Sequence, residues 1–390
     1  MSILIAAGHV VTPGAPLAPG WIAADGDRIT ALGAGPPPGP PDRTAAWALP
    51  GFIDLHVHGG GGASFTEGDA AGARRAAAFH RARGTTRMLA SLVTAPLAEL
   101  ERRAGMLAGL AAEGVIDGIH LEGPFLSAAR CGAQNPRYLV PPSAGAFERL
   151  RVAARGWLRV ITIAPELPGA AAVITAAAEA GVVVAAGHTD ASAAVTDAAV
   201  SAGVSHATHL FNGMRPLRHR EPGPAGALLD RQVTCEVIAD GIHLHDATVR
   251  LAARAAGPGN LVLITDAMAA AGMPDGDYAL GELAVTVAGG TARLRSEPSA
   301  RTGPAAPGAI AGSTATMDQV VRRAITSVGL SPADVAAASA ATPARILGLS
   351  DSGQLSPGQR ADIALLDEDF RLTAVLARGR WVGPVHPALP

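Results

Sequence analysis

The sequence contains no lysine, so all 31 of its basic residues other than histidine are arginines. Reactions that need a lysine amine, such as Schiff-base formation or the anchoring of pyridoxal phosphate, are therefore excluded, and so is a P-loop nucleotide site. A carbamylated lysine cannot bridge two metal ions in this chain either. Any bridging anion in a two-metal site must come from a carboxylate.

Cysteine is scarce, and the chain has no excess of positive charge. Cys131 and Cys235 are the only 2 cysteines, too few for a disulfide framework or a cysteine-rich zinc site. A net charge of −2 gives no sign of a nucleic-acid or membrane partner. The N-terminus lacks the regions of a signal peptide, and the most apolar window, 170–186, contains Glu179 and Gly181. We therefore expect a cytoplasmic chain.

Apolar runs alternate with alanine-rich helical segments through most of the chain. Eight such runs occur, at 52–57, 86–93, 116–121, 158–164, 182–186, 204–208, 233–239 and 261–265. Apolar strands alternating with helices indicate a parallel sheet covered on both faces, and eight of them indicate a closed (β/α)8 barrel. A Gly/Pro-rich stretch at 296–312 then precedes helical patterns near 314–328 and 332–347.

Both ends of the chain have the pattern of short strands instead. The N-terminal patterns lie at 3–6, 9–12, 21–24 and 28–32, and strands return after residue 353. Neither end alone holds enough strands to be stable. We predict an α/β fold: a TIM barrel over 50–347, with a small β-sandwich domain built from 1–49 plus 348–390.

Metal-binding side chains follow five of the eight apolar runs at the point where each run ends. They are His56 and His58 at the end of the first run, Glu122 at the end of the third, His188 of the fifth, His209 of the sixth and Asp266 of the eighth. Alternate residues of a strand share a face, so His56 and His58 project together. The C-terminal strand ends of a barrel meet at one rim, where chemistry takes place. A single histidine there is more often structural, but five coincident placements predict a metal site.

These motifs resemble the amidohydrolase superfamily and, more narrowly, its N-acetylglucosamine-6-phosphate deacetylases. The resembling segments span the barrel, at 50–62, 120–125, 187–190, 207–212, 220–223, 238–243, 263–267 and 312–314. The resemblance implies hydrolysis of an acetamide on a small amino-sugar phosphate, releasing acetate, in amino-sugar metabolism. It also implies a homodimer.

By the same resemblance, Glu122, His188 and His209 hold the metal common to the family. The resemblance implies one or two metal ions per subunit: His56 and His58 could hold a second ion that shares Glu122, and Asp266 is a further ligand that it could share. Zinc is the first choice for such a site, with iron and manganese as alternatives. Asp266 is the expected catalytic residue, accepting the proton of the attacking water and passing it to the sugar nitrogen. The alternative role for Asp266 is that of a ligand or helix cap.

The resemblance also assigns the residues that contact the substrate. They are Ala133, Gln134, Asn212, Gly213, Arg220, His243, Ile310, Ala311, Gly312 and Ser313. Arg220 and His243 are expected to meet the phosphate, Arg220 from across a dimer interface. The alternative for Arg220 is a surface ion pair with Glu221. Gln134 stands where the family usually has a histidine, and glutamine donates a hydrogen bond but carries no charge.

Two other interpretations stay open on the sequence alone. The substrate could be N-acetylgalactosamine 6-phosphate or another N-acyl amino sugar, or the chain could be an inactive sugar-phosphate-binding homologue. Gln134 is the point in favour of the inactive homologue. Cys131, in the same loop, is expected to be an inert thiol, and Cys235 a core residue.

Overall fold

The computed structural model describes residues 2–295 and 308–383. The larger part of the predicted Gly/Pro-rich loop at 296–312 lies outside these residues, as do the last residues of the predicted terminal domain, 384–390. The described strands form an eight-stranded parallel sheet, a seven-stranded sheet and two smaller sheets.

Four strands begin the seven-stranded sheet: β1 (Ser2–Val10), β2 (Gly20–Asp25), β3 (Arg28–Ala34) and β4 (Arg43–Pro50). The two short strands predicted within the first twelve residues are one continuous strand, β1. Gly8 allows β4 to pass close by, since a Cβ at Gly8 would lie 2.9 Å from Ala46 O. The sequence pattern does not predict β4, because its alanines have low β propensity.

The barrel strands follow, interrupted once by a short hairpin. They are β5 (Phe52–Val57), β8 (Thr85–Val93), β9 (Gly118–Glu122), β10 (Leu158–Ile163), β11 (Val183–Ala186), β12 (Val204–Ala207), β13 (Thr234–Ile238) and β14 (Leu261–Ile264). The hairpin comprises β6 (Gly59–Gly60) and β7 (Ala63–Ser64). Each barrel strand pairs with the next in sequence, and a parallel bridge between Val57 and Ala267 brings the first beside the last. All eight predicted strands are therefore confirmed.

Helices cover the outside of the barrel. They are α1 (Ala70–Ala82), α2 (Leu97–Ala112), α3 (Ala144–Ala153), α4 (Ala170–Glu179), α5 (Ala193–Ala202), α6 (Gly223–Asp230), α7 (Asp246–Ala256), α8 (Met317–Thr326), α9 (Pro332–Ala336) and α10 (Thr342–Ile346), the last two joined by the π-helical turn Ala337–Ala341. N-cap side chains fix where several helices begin. Asp69, Ser143 and Ser192 each accept a hydrogen bond from a backbone N–H in the first turn of α1, α3 and α5, respectively. Among the described residues, none of these helices is both long and apolar enough to cross a membrane.

Two insertions after barrel strands shape the mouth of the barrel. The loop between β9 and α3 contains the 3-10 turns Ala128–Arg130 and Pro136–Tyr138. After β14, the antiparallel strands β15 (Gly276–Leu280), β16 (Leu283–Ala288) and β17 (Thr291–Leu294) form a separate sheet. The sequence pattern does not predict this sheet.

The last three described strands return to the sheet that contains the first four. The strands β18 (Ile363–Leu366), β19 (Leu372–Ala377) and β20 (Arg380–Trp381) complete the order β20-β19-β18-β4-β1-β2-β3. Ile29 donates its backbone N–H to Gln359 O across 2.9 Å, so β3 comes close to the segment before β18. Ile29, Ile363 and Leu376 share a buried cluster that is separate from the main barrel core. The predicted fold class, a barrel plus a β domain from both chain ends, is confirmed, and we propose the domain boundaries at 49/50 and 347/348.

Candidate metal centre

Glu122, the last residue of β9, lies at the centre of a buried cluster of histidines. Its Oε1 lies 2.9 Å from both His188 Nε2 and His209 Nε2. Its Oε2 lies 3.2 Å from His58 Nε2, and His56 Nε2 lies 3.6 Å from Oε1. The predicted histidines of three other strand ends therefore converge on this one carboxylate.

Two groups of side chains able to hold a metal are found among the described residues, and they share Glu122. The first group is His56, His58 and Glu122, and the second is Glu122, His188 and His209. Asp266 adjoins the first group, its Oδ1 lying 3.2 Å from His58 Nε2 and 3.4 Å from His56 Nε2. Its backbone N–H donates to His56 O across 2.9 Å, which fixes Asp266 beside β5.

The other ring nitrogen of each histidine faces an oxygen acceptor. The Nδ1 pairs are His56 with Glu236 Oε2 (3.2 Å), His58 with Ser91 O (3.2 Å), His188 with Arg130 O (2.9 Å) and His209 with Asn212 O (3.1 Å). Carbonyl and carboxylate oxygens only accept, so the network assigns the proton to each Nδ1. In the neutral ring, Nε2 then presents its lone pair to the cluster, as in histidines that bind metals.

The donor set fits a divalent metal ion. His188 Nε2 lies 3.1 Å from His209 Nε2, and His56 Nε2 lies 3.1 Å from His58 Nε2. Ligands held at about 2.0–2.1 Å around a tetrahedral metal lie roughly 3.3 Å apart. Lone pairs that converge at this spacing, beside buried carboxylates, repel one another unless a cation lies between them.

The electrostatics of the cluster favour positive charge. Burial opposes a charge on His58, but hydrogen bonds to Asp266 and Glu122 outweigh it and raise the His58 pKa to about 9. Burial would likewise raise the pKa of Glu122, but His56 and His188 hold it well below its ordinary value. The carboxylate is therefore ionised, and protons or a metal ion can supply the matching charge.

Three residues of the cluster have a left-handed backbone, which side chains other than glycine rarely adopt. His188 has φ +47°, His209 has φ +26° and Asp266 has φ +50°. Each such conformation costs on the order of 1–3 kcal/mol and persists only where neighbouring contacts enforce it. All three follow the end of a strand, and their side chains contact the cluster from these left-handed positions.

Gln134 holds the central carboxylate from the loop after β9. Its Nε2 donates to Glu122 Oε2 across 2.5 Å, and its Oε1 accepts from Thr94 N across 2.7 Å. The side chain is buried, with 3% of the residue exposed. Both ends of the amide are occupied, so the glutamine positions Glu122.

A cavity of about 220 Å³ opens over the cluster. Seven of the predicted substrate residues line it: Ala133, Gln134, Asn212, Gly213, His243, Ile310 and Gly312. Ala311 and Ser313 do not line it, because alternate residues of this segment face the interior. Ser313 Oγ donates to Thr265 O across 2.5 Å, behind the cavity wall. A larger cavity of about 570 Å³ lies beside Arg83 and Arg323, and in the described part of the chain it shares no lining residue with this one and contains neither of the two metal-binding groups.

Arg220 lies on an exposed loop, away from the cavity wall. Its Nη1 lies 2.8 Å from His219 Nε2, and no salt bridge joins it to Glu221 within the described residues. Its expected contact with the phosphate of a neighbouring subunit stays a prediction.

Two buried carboxylates near the cluster are not among the residues predicted from the sequence. Glu236, in the middle of β13, contacts His56, and Asp54, in the middle of β5, accepts from Thr265 Oγ1 across 2.6 Å. Burial raises the pKa of Asp54 to about 7, against the hydrogen bonds that lower it. A lone acidic residue inside an apolar strand is the sequence signal that could have identified both.

The comparisons with known proteins agree with this geometry. The profile of the amidohydrolase family matches residues 47–382. The chain belongs to the amidohydrolase family. This family is metal-dependent, and the two ligand groups of the cluster accord with that property.

Amino-sugar-phosphate deacetylases are among the proteins to which the chain is similar. N-acetylglucosamine-6-phosphate deacetylase of Lysinibacillus sphaericus is 35% identical over 87% of this chain and 86% of its own length. N-acetylgalactosamine-6-phosphate deacetylase of Escherichia coli O157:H7 is 36% identical over 87% of this chain and 88% of its own length.

A solved structure of such a deacetylase has the same fold as this chain. It shows a single-substitution variant of N-acetyl-D-glucosamine-6-phosphate deacetylase from Mycobacterium smegmatis, in complex with N-acetyl-D-glucosamine 6-phosphate. That chain is 46% identical, with a TM-score of 0.91 over 98% of this chain and 99% of its own. The resemblance predicted from the motifs is confirmed.

Proposed function

We propose that this chain hydrolyses the acetamide of N-acetylglucosamine 6-phosphate to glucosamine 6-phosphate and acetate. The observation that carries the proposal is the convergence of His56, His58, His188 and His209 on Glu122 beneath a cavity of about 220 Å³. The names of the relatives agree with this substrate class.

Both ligand groups have a part in this proposal. Glu122, His188 and His209 would hold one divalent ion, and His56, His58, Glu122 and Asp266 a second, with zinc as first choice and iron or manganese as alternatives. A bound ion of this kind supplies hydroxide at neutral pH and polarises the acetyl oxygen.

Asp266 is the proposed general base and acid. It lines the cavity and lies within 3.4 Å of both His56 Nε2 and His58 Nε2. Burial would raise its pKa, but the neighbouring His56 outweighs burial and holds the pKa below its ordinary value. The carboxylate is ionised at neutral pH and accepts a proton from the attacking water. It then delivers that proton to the sugar nitrogen as the C–N bond breaks.

His243 is the proposed phosphate contact within the same chain. Its Nδ1 donates to Asp240 Oδ2 across 2.8 Å, and its ring lines the cavity. Burial opposes a charge on His243, but this hydrogen bond outweighs burial and raises the pKa. The resulting positive charge suits a phosphate. Arg220 of a neighbouring subunit completes the site in the proposed homodimer, and the proposed location is the cytoplasm.

A deacetylase of N-acetylgalactosamine 6-phosphate is the second candidate, because one relative with that activity is 36% identical. Acetate release should therefore be measured with both 6-phosphates and with unphosphorylated N-acetylglucosamine. The proposal predicts the highest kcat/KM for N-acetylglucosamine 6-phosphate. A preference for the galactosamine epimer supports the second candidate, and binding without turnover supports an inactive homologue.

A further inference from the structure

Glu236 contacts both ligand groups, although its strand, β13, supplies no ligand to either. Its Oε2 lies 3.2 Å from His56 Nδ1 and accepts from His209 N across 3.0 Å. Its Oε1 lies 3.0 Å from His206 Nε2. The residue is 0% exposed, so these contacts are made away from solvent.

The charge of Glu236 acts on one ligand in particular. The Nδ1 atoms of His58, His188 and His209 face neutral backbone carbonyls, whereas His56 Nδ1 faces a carboxylate. A carboxylate that accepts from Nδ1 fixes the tautomer and increases the electron density at Nε2, which strengthens that nitrogen as a metal ligand. The effect is largest for the group that contains His56.

The contact with His209 is of a different kind. Here Glu236 accepts a backbone N–H at a residue whose φ is +26°. Holding this strained backbone needs an oxygen at the position of Oε2, but it does not need a negative charge. The two ligand groups therefore depend on different properties of one side chain.

We propose that Glu236 is a positioning residue whose charge sets the metal affinity of the group His56, His58 and Glu122. The other group, Glu122 with His188 and His209, needs the oxygen of Glu236 but not its charge. This inference rests on the proposed binding of two metal ions.

Glu236→Gln separates charge from geometry. The amide oxygen can replace Oε2 and accept from His56 Nδ1 and His209 N, while the amide NH2 points toward His206 Nε2. His206 can accept this bond by moving its proton to Nδ1, which lies 2.6 Å from Thr234 Oγ1. The substitution then keeps the hydrogen bonds and removes the charge.

Glu166→Gln is the matched control. Glu166 accepts from Thr189 Oγ1 and Asp190 N, both across 2.6 Å. It lies beside the loop that carries His188 but makes no hydrogen bond to a ligand side chain in the part of the chain described. Circular dichroism of both variants should match the wild-type spectrum.

The test uses the whole chain after its metal has been removed with a chelator. This metal-free protein is titrated with Zn²⁺ in the presence of a competing chelator, and its metal content is measured after gel filtration. Wild-type protein and Glu166→Gln should bind two ions per chain. Glu236→Gln should bind one of them about as tightly as wild type and the other roughly 10–100-fold more weakly. His56→Asn should weaken the binding of the same ion, and this result would assign that ion to the group His56, His58 and Glu122.

Three results would overturn the inference: wild-type affinity for both ions in Glu236→Gln, an equal loss of both, or a wild-type chain that binds one ion regardless of His56→Asn. None of these measurements uses a substrate. A protein that binds two ions as described but releases no acetate would refute the proposed function and leave the inference standing.

Discussion

Gln134 donates a hydrogen bond to Glu122 across 2.5 Å, between its Nε2 and Oε2 of the carboxylate. Thr94 N holds the other end of the amide, at 2.7 Å from Gln134 Oε1. Glu122 is the carboxylate that both ligand groups share. Gln134, which stands where the resemblance predicts a histidine, therefore makes a direct contact with the proposed bridge between two metal ions.

Gln134→Leu should weaken the binding of both metal ions. The substitution removes the hydrogen-bond donor to the shared carboxylate of Glu122 and leaves Thr94 N without its acceptor. We expect metal affinity and kcat to fall by roughly 10–100-fold, as measured by chelator competition and acetate release. Asn135→Ala is the control, since Asn135 accepts from Arg137 N to cap the adjacent turn and, among the described residues, makes no hydrogen bond to a proposed metal ligand. Unchanged metal affinity in Gln134→Leu would show that Glu122 is positioned without the amide.

Asp266→Asn tests the proton transfer. An amide keeps the shape of the side chain but cannot accept the proton of the attacking water, so kcat should fall about 10²–10⁴-fold. KM should change little, and the ion at Glu122, His188 and His209 should be retained, because this group does not include Asp266. Steady-state kinetics and metal analysis of the same sample check both points. A variant with near-normal kcat would remove Asp266 from the chemistry.

The protonation of His243 should govern how KM depends on pH. The pKa of His243 is raised by its hydrogen bond to Asp240, against burial, so the ring stays charged beyond its usual range near 6.5. The charge is lost as pH rises through the raised pKa, and KM for the 6-phosphate should increase there. Asp240→Asn should move this increase to lower pH. The phosphate assignment fails if KM for unphosphorylated N-acetylglucosamine rises in the same way.

His80 should make the fold sensitive to acid. Burial lowers its pKa to about 4, so the folded protein keeps the ring neutral, with Nε2 2.8 Å from Gly59 O. The stability contribution is fully present above the unfolded pKa near 6.5 and is lost as pH falls toward the folded value. Between pH 7 and pH 5 the loss should be about 2 kcal/mol. Urea unfolding at both pH values should show a smaller difference for His80→Gln, and an equal difference would contradict the assignment.

The sequence predicts the barrel and the cluster well because both depend on local patterns. Apolar runs mark the buried strands, and polar residues that follow them, such as His188 and His209, lie at the one rim where all strand ends meet. The shared position of Glu122 follows from the same rule, since it ends β9.

Contacts across the barrel could not be predicted in this way. Glu236 reaches His56 from a strand 180 residues away in sequence, and only the closed barrel brings them together. The sequence also gives no means of deciding which residues of 309–313 face the cavity. The placement of Ile310 toward it and Ser313 away from it depends on pairing with β17 and with the segment after β14.

Removal of the metal tests the central claim most directly. The protein should be dialysed exhaustively against a chelator, its metal content measured, and acetate release from N-acetylglucosamine 6-phosphate followed before and after stoichiometric Zn²⁺, Fe²⁺ or Mn²⁺ is returned. We predict that hydrolysis disappears with the metal and returns with at least one of these ions. Full hydrolytic activity in protein shown to be free of metal would contradict the account.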